Sequence, residues 1–256
     1  MLSDIKHNPL GRFDGLASTY AKYRPGYPAQ SLDWIVEKLP ERNGLIADVG
    51  AGTGIFSRLL AEYSCRIVGI EPNESMRLQA EAIPHPNIVG YRAGRAEATG
   101  LEASSVSAVV AAQAFHWCVP EASLREFHRI LVPNGWVTLI WNDFDIDDPF
   151  TGGYCRLQRE CTPEPEIIEK PQHLTGAALL SHSHFDQGTV RTTPNAQPMN
   201  ENGLLGRAFS ASFAPRECQA ADRFTRRLRQ LFEEHAVDGQ LRLLYRTILY
   251  QARRAL

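Results

Sequence analysis

Leu45-Ile46-Ala47-Asp48-Val49-Gly50-Ala51-Gly52-Thr53-Gly54-Ile55-Phe56 is the stretch from which the rest of the chain is read. Leu45 to Val49 is a short apolar run with one acid in it, as expected of a strand covered on both faces. The glycines allow a sharp turn and let a ligand approach backbone that carries no Cβ. The helix expected after them points its free N–H groups back at that ligand. Asp48, the one charge in the strand, needs backbone N–H donors or a cationic ligand once buried. A phosphate-binding loop would carry Lys-Ser/Thr after its last glycine, and Ile55-Phe56 stand there instead. The dinucleotide fingerprint Gly-x-Gly-x-x-Gly is also broken. Its third glycine comes one position early, at Gly54, and Ile55 sits where Gly or Ala belongs. A tight turn with no ligand stays open on the loop alone.

The next strand narrows the choice. Arg66-Ile67-Val68-Gly69-Ile70-Glu71 ends on an acid followed by Pro72-Asn73. A carboxylate at the end of the second strand can accept hydrogen bonds from both hydroxyls of a ribose. Helix capping is a job better suited to Asn73. With both segments in place, the chain resembles the class I S-adenosylmethionine-dependent methyltransferases, nearest to their small-molecule, trans-aconitate-methyltransferase-like subgroup. The likeness extends to Phe13-Asp14-Gly15, to Tyr20 through Pro28, to Ala93 through Glu97, and to Ala111 through Trp117. It therefore covers about residues 10 to 145.

The resemblance implies a Rossmann-like α/β fold. Its core is a doubly wound, mostly parallel, seven-stranded sheet with an antiparallel last strand and a helical lid insertion. The chain divides accordingly into an N-terminal helical cap (1–44), a cofactor-binding core (45–145), a lid (146–187) and C-terminal strands and helices of the core (188–256). Helical periodicity places helices over Pro28 to Leu39, Asn73 to Ile83, Glu121 to Leu131, Met199 to Gly206 and Ala220 to His235. Strands are expected at Asn87 to Ala93, Val106 to Ala112, Trp136 to Asn142, Gly188 to Thr193 and Leu241 to Gln251. Strands alternating with helices predict right-handed parallel crossovers, with ligands at the carboxyl ends of the strands. Asp48, Glu71, Ala96, Gln113 and Asn142 all fall at such ends or just past them.

The resemblance assigns S-adenosyl-L-methionine as cofactor and S-adenosyl-L-homocysteine as product. Gly50, Ala51, Gly52, Asp48, Glu71, Pro72 and Gln113 are the expected binding residues. Tyr20 and Arg24 grip the methionine carboxylate, and Ala96 with Glu97 lies against adenine. His116, the one histidine inside a family motif, is the candidate catalytic residue, as a base or as a pocket wall. Phe115, His116, Trp117, Trp141 and Asn142 are the expected substrate pocket, which favours a flat heteroaromatic metabolite by stacking. A small carboxylate held by arginines such as Arg156 or Arg207 is the other reading. The methyl group then goes to O or N of a small molecule, mainly by alignment. A catalytically silent S-adenosyl-ligand-binding protein is the alternative, and a nucleotide-dependent oxidoreductase a third class.

Composition is ordinary for a soluble globular protein. The 256 residues are 43% hydrophobic and 22% charged, with a net charge of −2. That balance recruits neither nucleic acid nor an acidic membrane surface. The arginines of Ala220 to His235 are interleaved with acids, as on a solvated helix face. Cys65, Cys118, Cys155, Cys161 and Cys218 are an odd, scattered set, which favours reduced thiols and a cytoplasmic setting. No run is long and apolar enough to span a bilayer, and Met1 to Lys6 lacks a signal-peptide core. His173, His182 and His184 have no carboxylate or cysteine at fitting spacing, so no metal is expected. Oligomeric state is not legible.

Overall fold

The structure, a computed structural model, describes residues 17–41, 43–163 and 172–255. Five strands come from the first part of the chain: β1 (Leu45–Val49), β2 (Arg66–Ile70), β3 (Ile88–Arg92), β4 (Val106–Ala112) and β5 (Leu131–Phe144). Two more, β6 (Phe185–Met199) and β7 (Leu241–Arg254), complete a sheet of order β3-β2-β1-β4-β5-β7-β6. β1 to β5 are parallel, and β7 runs antiparallel between β5 and β6. The chain thus departs from β1 in two directions, to β2 on one side and β4 on the other. That reversal opens a crevice at the carboxyl ends of β1 and β4.

Each crossover follows local chemistry. The left-handed Gly54 (φ 75°) starts helix α3 (Ile55–Ala61) within one residue of the glycine turn. Helix α4 (Glu74–Glu81) begins at Asn73, whose side chain accepts a hydrogen bond from the Met76 N–H. This is the cap its position predicts. Helix α5 (Pro120–Ile130) carries Pro at its first position and buries Leu124, Phe127 and Ile130. The sheet interior reads as apolar runs because both faces are covered: Ile46, Ile67, Val109 and Leu139 are fully buried. Before the sheet come two short helices, α1 (Ala17–Tyr23) and α2 (Ala29–Val36).

After β5, helix α6 (Pro149–Cys161) opens on an Asp148 cap that accepts from the Thr151 N–H. A 3-10 turn, Gln172–Gly176, leads into helix α7 (Ala177–Ser181). Helices α8 (Glu201–Phe209) and α9 (Cys218–His235) lie between β6 and β7 in sequence. α6 packs on α9 through Tyr154, Leu157, Phe224 and Leu228, continuous with Leu241, Leu243 and Tyr245 of β7. The segment expected as a lid is therefore anchored by its own apolar cluster. The bounds differ most from the sequence reading at β5 and β6. β5 is longer at both ends than Trp136 to Asn142. β6 spans fifteen residues where six were expected, and its first three belonged to the expected lid. As an edge strand rich in Thr, Asn, Gln and Pro, it lacks the apolar alternation that marks a strand with a buried face. Among the described residues, no helix is long and apolar enough to cross a membrane.

Candidate active site

Two joined cavities occupy the crevice. The larger, about 630 Å³, is walled by Arg24, Asp48, Gln113, His116, Asn142 and residues of α6, β7 and the 3-10 turn. The smaller, about 130 Å³, is walled by Glu71, Asn73, Met76, Ala96, Glu97 and Cys118. Both touch Gly50, Gly52, Ala112, Gln113 and Trp117, so they are two arms of one cleft.

The glycine turn holds left-handed backbone at Gly50, Gly52 and Gly54 (φ 74°, 56° and 75°). At Gly50 a Cβ would lie 2.4 Å from that of Ala114, whereas at Gly52 nothing stands within 4 Å. The backbone of Gly52 is bare to the cleft. Glu71 braces the turn from the tip of β2. Its Oε2 accepts from the Gly52 N–H (2.8 Å) and its Oε1 from the Asn73 N–H (2.8 Å). Each carboxylate oxygen keeps acceptor capacity beyond that one bond. Burial raises the Glu71 pKa and these two N–H groups oppose the rise.

Asp48 is fully buried. Its Oδ2 accepts from the Ser57 hydroxyl of α3 (2.5 Å), a partner nothing in the strand pattern announced. Its Oδ1 has no hydrogen-bond partner among the described residues, yet Asp48 lines the larger cavity. Burial pushes its pKa up to about 7, against the Ser57 hydrogen bond and with help from the Glu71 charge. An unmet, buried carboxylate oxygen on a cavity wall suits a cation.

The remaining expected residues divide. Pro72, Ala96 and Glu97 line the smaller cavity, and Glu97 accepts from the Val119 N–H (2.8 Å). Gln113, itself left-handed (φ 56°), donates to the Asn142 carbonyl (3.2 Å). Asn142 donates to the Gly26 carbonyl (3.0 Å) and accepts from Thr247 (2.5 Å). Arg24 lines the larger cavity and donates to the Ser210 carbonyl (3.3 Å). The Tyr20 side chain and the motif Phe13-Asp14-Gly15 lie outside the described residues.

Two expected pocket residues belong elsewhere. Phe115 and Trp141 are fully buried in the sheet's apolar cluster and line neither cavity. On a strand, neighbours point to opposite faces, so Asn142 facing the cleft sends Trp141 to the core. Trp141 still matters to the site, because its Nε1 donates to His116 Nδ1 (3.2 Å). His116 Nδ1 therefore accepts, and the ring proton sits on Nε2. Burial, then Arg24, lowers the His116 pKa to about 3. A ring already using its lone pair and this reluctant to charge makes a poor base.

Of the two arginines offered for a carboxylate, Arg207 lines the larger cavity and Arg156 does not. Arg159 and Arg246, which motif reading missed, line it too, with Tyr27, Phe144, Phe213 and Tyr245 as its aromatic walls. Arg207, 4% exposed, donates from Nε to the Tyr245 hydroxyl (3.2 Å) and lies over the Phe144 ring (5.3 Å). Asp143 and His173 also line it and are hydrogen-bonded to each other. Among the described residues, no cluster of three or more His, Cys, Asp or Glu could hold a metal, and all five cysteines are free.

Comparison with known proteins agrees with this geometry. Residues 47–139 match a methyltransferase-domain family. An uncharacterized methyltransferase-like protein of Schizosaccharomyces pombe is 38% identical over 143 residues, 55% of each chain. An uncharacterized methyltransferase of Mycobacterium bovis is 35% identical over 133 residues, 52% of this chain and 53% of that one. A Saccharomyces cerevisiae protein named provisionally as an S-adenosylmethionine-dependent methyltransferase is 27% identical over 121 residues, 45% and 42% of the two chains. The chain thus spans about half the length of the curated relatives it matches. A solved structure from Anaeromyxobacter dehalogenans, provisionally named a type II methyltransferase, superposes with a TM-score of 0.66 at 23% identity. It covers 90% of this chain and 98% of its own. Residues 47–139 are thus similar to a methyltransferase domain, and the chain shares its fold with that solved structure.

Proposed function

We propose that the protein is an S-adenosylmethionine-dependent methyltransferase acting on O or N of a small anionic metabolite. The observation that carries this is the pair of buried carboxylates, Asp48 and Glu71, at adjacent strand tips around a bare glycine turn. In this reading Glu71 accepts the ribose hydroxyls with the lone pairs its backbone donors leave over. Asp48 Oδ1 takes the ammonium of the methionine moiety, and Arg24 takes its carboxylate. Ala96 and Glu97 flank the adenine in the smaller arm, whose walls fit a flat ring. When bound, the cofactor supplies an electrophilic methyl on sulfonium, and the C–S electron pair leaves with sulfur. The chain's own share is to exclude water and hold the acceptor in line, which is where most of the rate arises.

The larger arm receives the acceptor. Three guanidinium groups beyond Arg24 face it, while two of the four expected stacking aromatics lie in the core. The arm therefore favours a carboxylate-bearing acceptor over a neutral heteroaromatic one. His116 donates from Nε2 into this arm as a positioning group.

Calorimetry with S-adenosylhomocysteine, and separately with oxidised and reduced nicotinamide dinucleotides, tests the cofactor. Only the first is expected to bind, and Glu71→Ala is expected to abolish that binding. Binding of the nicotinamides alone would overturn the reading. Binding of S-adenosylhomocysteine with no transfer of labelled methyl to any compound of a metabolite extract would leave a silent binding protein.

A further inference from the structure

We propose that His173, held by Asp143, is the general base of the methyl transfer, and that the methylated atom is a hydroxyl oxygen of a small carboxylic acid. This rests on the methyltransferase reading above and narrows its acceptor.

The two residues are thirty apart in sequence and are brought together by the fold. Asp143 follows Asn142 near the carboxyl end of β5, and His173 sits on the 3-10 turn Gln172–Gly176. His173 Nδ1 bonds to Asp143 Oδ2, which leaves Nε2 as the second ring nitrogen of a cavity-lining imidazole. With the proton on Nδ1, Nε2 carries the free lone pair, the reverse of His116. The pair stands beside the cofactor arm, because Gln113, which lines both arms, donates to the carbonyl of Asn142, the residue before Asp143.

Three contacts fix the imidazole. Its ring stacks on Tyr250 of β7 (centroids 6.5 Å, planes 27° apart). Gly176 closes that contact, since a Cβ there would lie 2.5 Å from the Tyr250 ring. Asp143 is itself half-buried, and its carboxyl faces Arg246 of β7 as well as His173. His116 and Trp117 lie on the 3-10 turn Phe115–Trp117, which packs against His173's own turn. A carboxylate behind an imidazole selects the tautomer and stabilises the imidazolium once formed. Charged carboxylates and free amines need no base to be methylated, whereas a hydroxyl gains from one. The dyad therefore implies a proton on the nucleophile. The O–H bond breaks, the proton passes to Nε2, and its electron pair stays on oxygen to form the bond to the methyl carbon. The C–S pair goes to sulfur, and the imidazolium later loses its proton to water. Arg159 and Arg207, in the same arm, take the acid group of the acceptor.

Three measurements test this. In ¹⁵N spectra at pH 8, the ligand-free enzyme should show His173 as the Nδ1–H tautomer, and Asp143→Asn should erase that preference. A His173 that is Nε2–H in the wild type overturns the proposal. S-adenosylhomocysteine affinity by calorimetry should change less than about twofold in His173→Gln and Asp143→Asn. If the wild type does not bind it, the methyltransferase reading itself fails. Methyl-labelled cofactor is then offered to hydroxybenzoates, hydroxyalkanoates, their O-methylated analogues and simple amines. Label should enter only compounds bearing both hydroxyl and carboxylate, as ethers. His173→Gln should lower kcat/KM about 100-fold, within the range general bases contribute, and remove the acidic limb of the pH profile. Label in esters or amines, in none of the panel, or an unchanged rate and pH profile in both variants overturns the proposal.

Discussion

Asp48 and Glu71 are both buried carboxylates at neighbouring strand tips, yet their surroundings differ. Glu71 accepts two backbone N–H groups, while Asp48 has one hydroxyl and an unmet oxygen. Burial therefore dominates at Asp48 and carries its pKa to about 7. An acid whose folded pKa is raised binds its proton more tightly folded than unfolded. It favours the fold at low pH and works against it as pH rises from about 4 through 7. Asp48→Asn, which keeps an acceptor for Ser57, should accordingly stabilise the ligand-free protein more at pH 8 than at pH 5. Urea midpoints at the two pH values measure this, and equal shifts would contradict it. A ligand ammonium at Oδ1 reverses the balance by favouring the charged form. S-adenosylhomocysteine should then bind with release of nearly one proton at pH 6 and little release at pH 8.5. Calorimetry in buffers of different ionisation enthalpy reads this directly, and no proton release at pH 6 would remove Asp48 from the ligand.

The strand–turn–helix from Leu45 to Ala61 was the most legible element, because each local choice points the same way. A continuous apolar run suits a strand covered on both faces, and only glycine sits easily at the three left-handed positions. Gly50 carries the double constraint of positive φ and the close approach of Ala114. Gly50→Ala should cost about 1–3 kcal/mol from backbone strain before any shift of Ala114. Its signature is a lower urea midpoint together with weakened S-adenosylhomocysteine binding. Gly52→Ala, with open space beside it, should lose ligand affinity more than stability. Full stability of Gly50→Ala would contradict the packing described. The strand tips were readable for the same local reason, since Glu71 and Gln113 directly follow apolar runs and Asp48 is the one charge within another. Phe115 and Trp141 were misplaced because a cluster of aromatics in sequence says nothing about which face each takes. Period-two alternation from Asn142 would have sent Trp141 inward. The Asp143–His173 pair left no sequence trace beyond Asp143 following the fifth strand. Its partner lies thirty residues on, in a segment whose only pattern is three scattered histidines.

At the scale of the molecule, the cleft is assembled from two differently supported halves. The smaller arm, proposed for the cofactor, is built on β1, β2 and β4, inside the segment that matches the methyltransferase-domain family. The larger arm, proposed for the acceptor, draws Arg159 from α6, Arg207 from α8 and Tyr245 and Arg246 from β7, beyond that segment. Those helices are held by their own cluster, in which Leu228 and Phe224 of α9 meet Tyr154 and Leu157 of α6. The sheet core around Val68, Val109 and Leu139 is a separate cluster. Such a division allows one arm to loosen while the other keeps its shape. Leu228→Ala, at a fully buried site, should cost about 2–5 kcal/mol. Because α9 packs on α6 and α8, S-adenosylhomocysteine affinity should stay within about threefold of wild type. The Michaelis constant for the acceptor should rise, since α6 and α8 carry the guanidinium groups that face it. Val109→Ala in the sheet should instead weaken both ligands together. Parallel losses of both affinities in Leu228→Ala would mean the cleft responds as one unit, with the helical cluster bracing the glycine turn as firmly as the strands do.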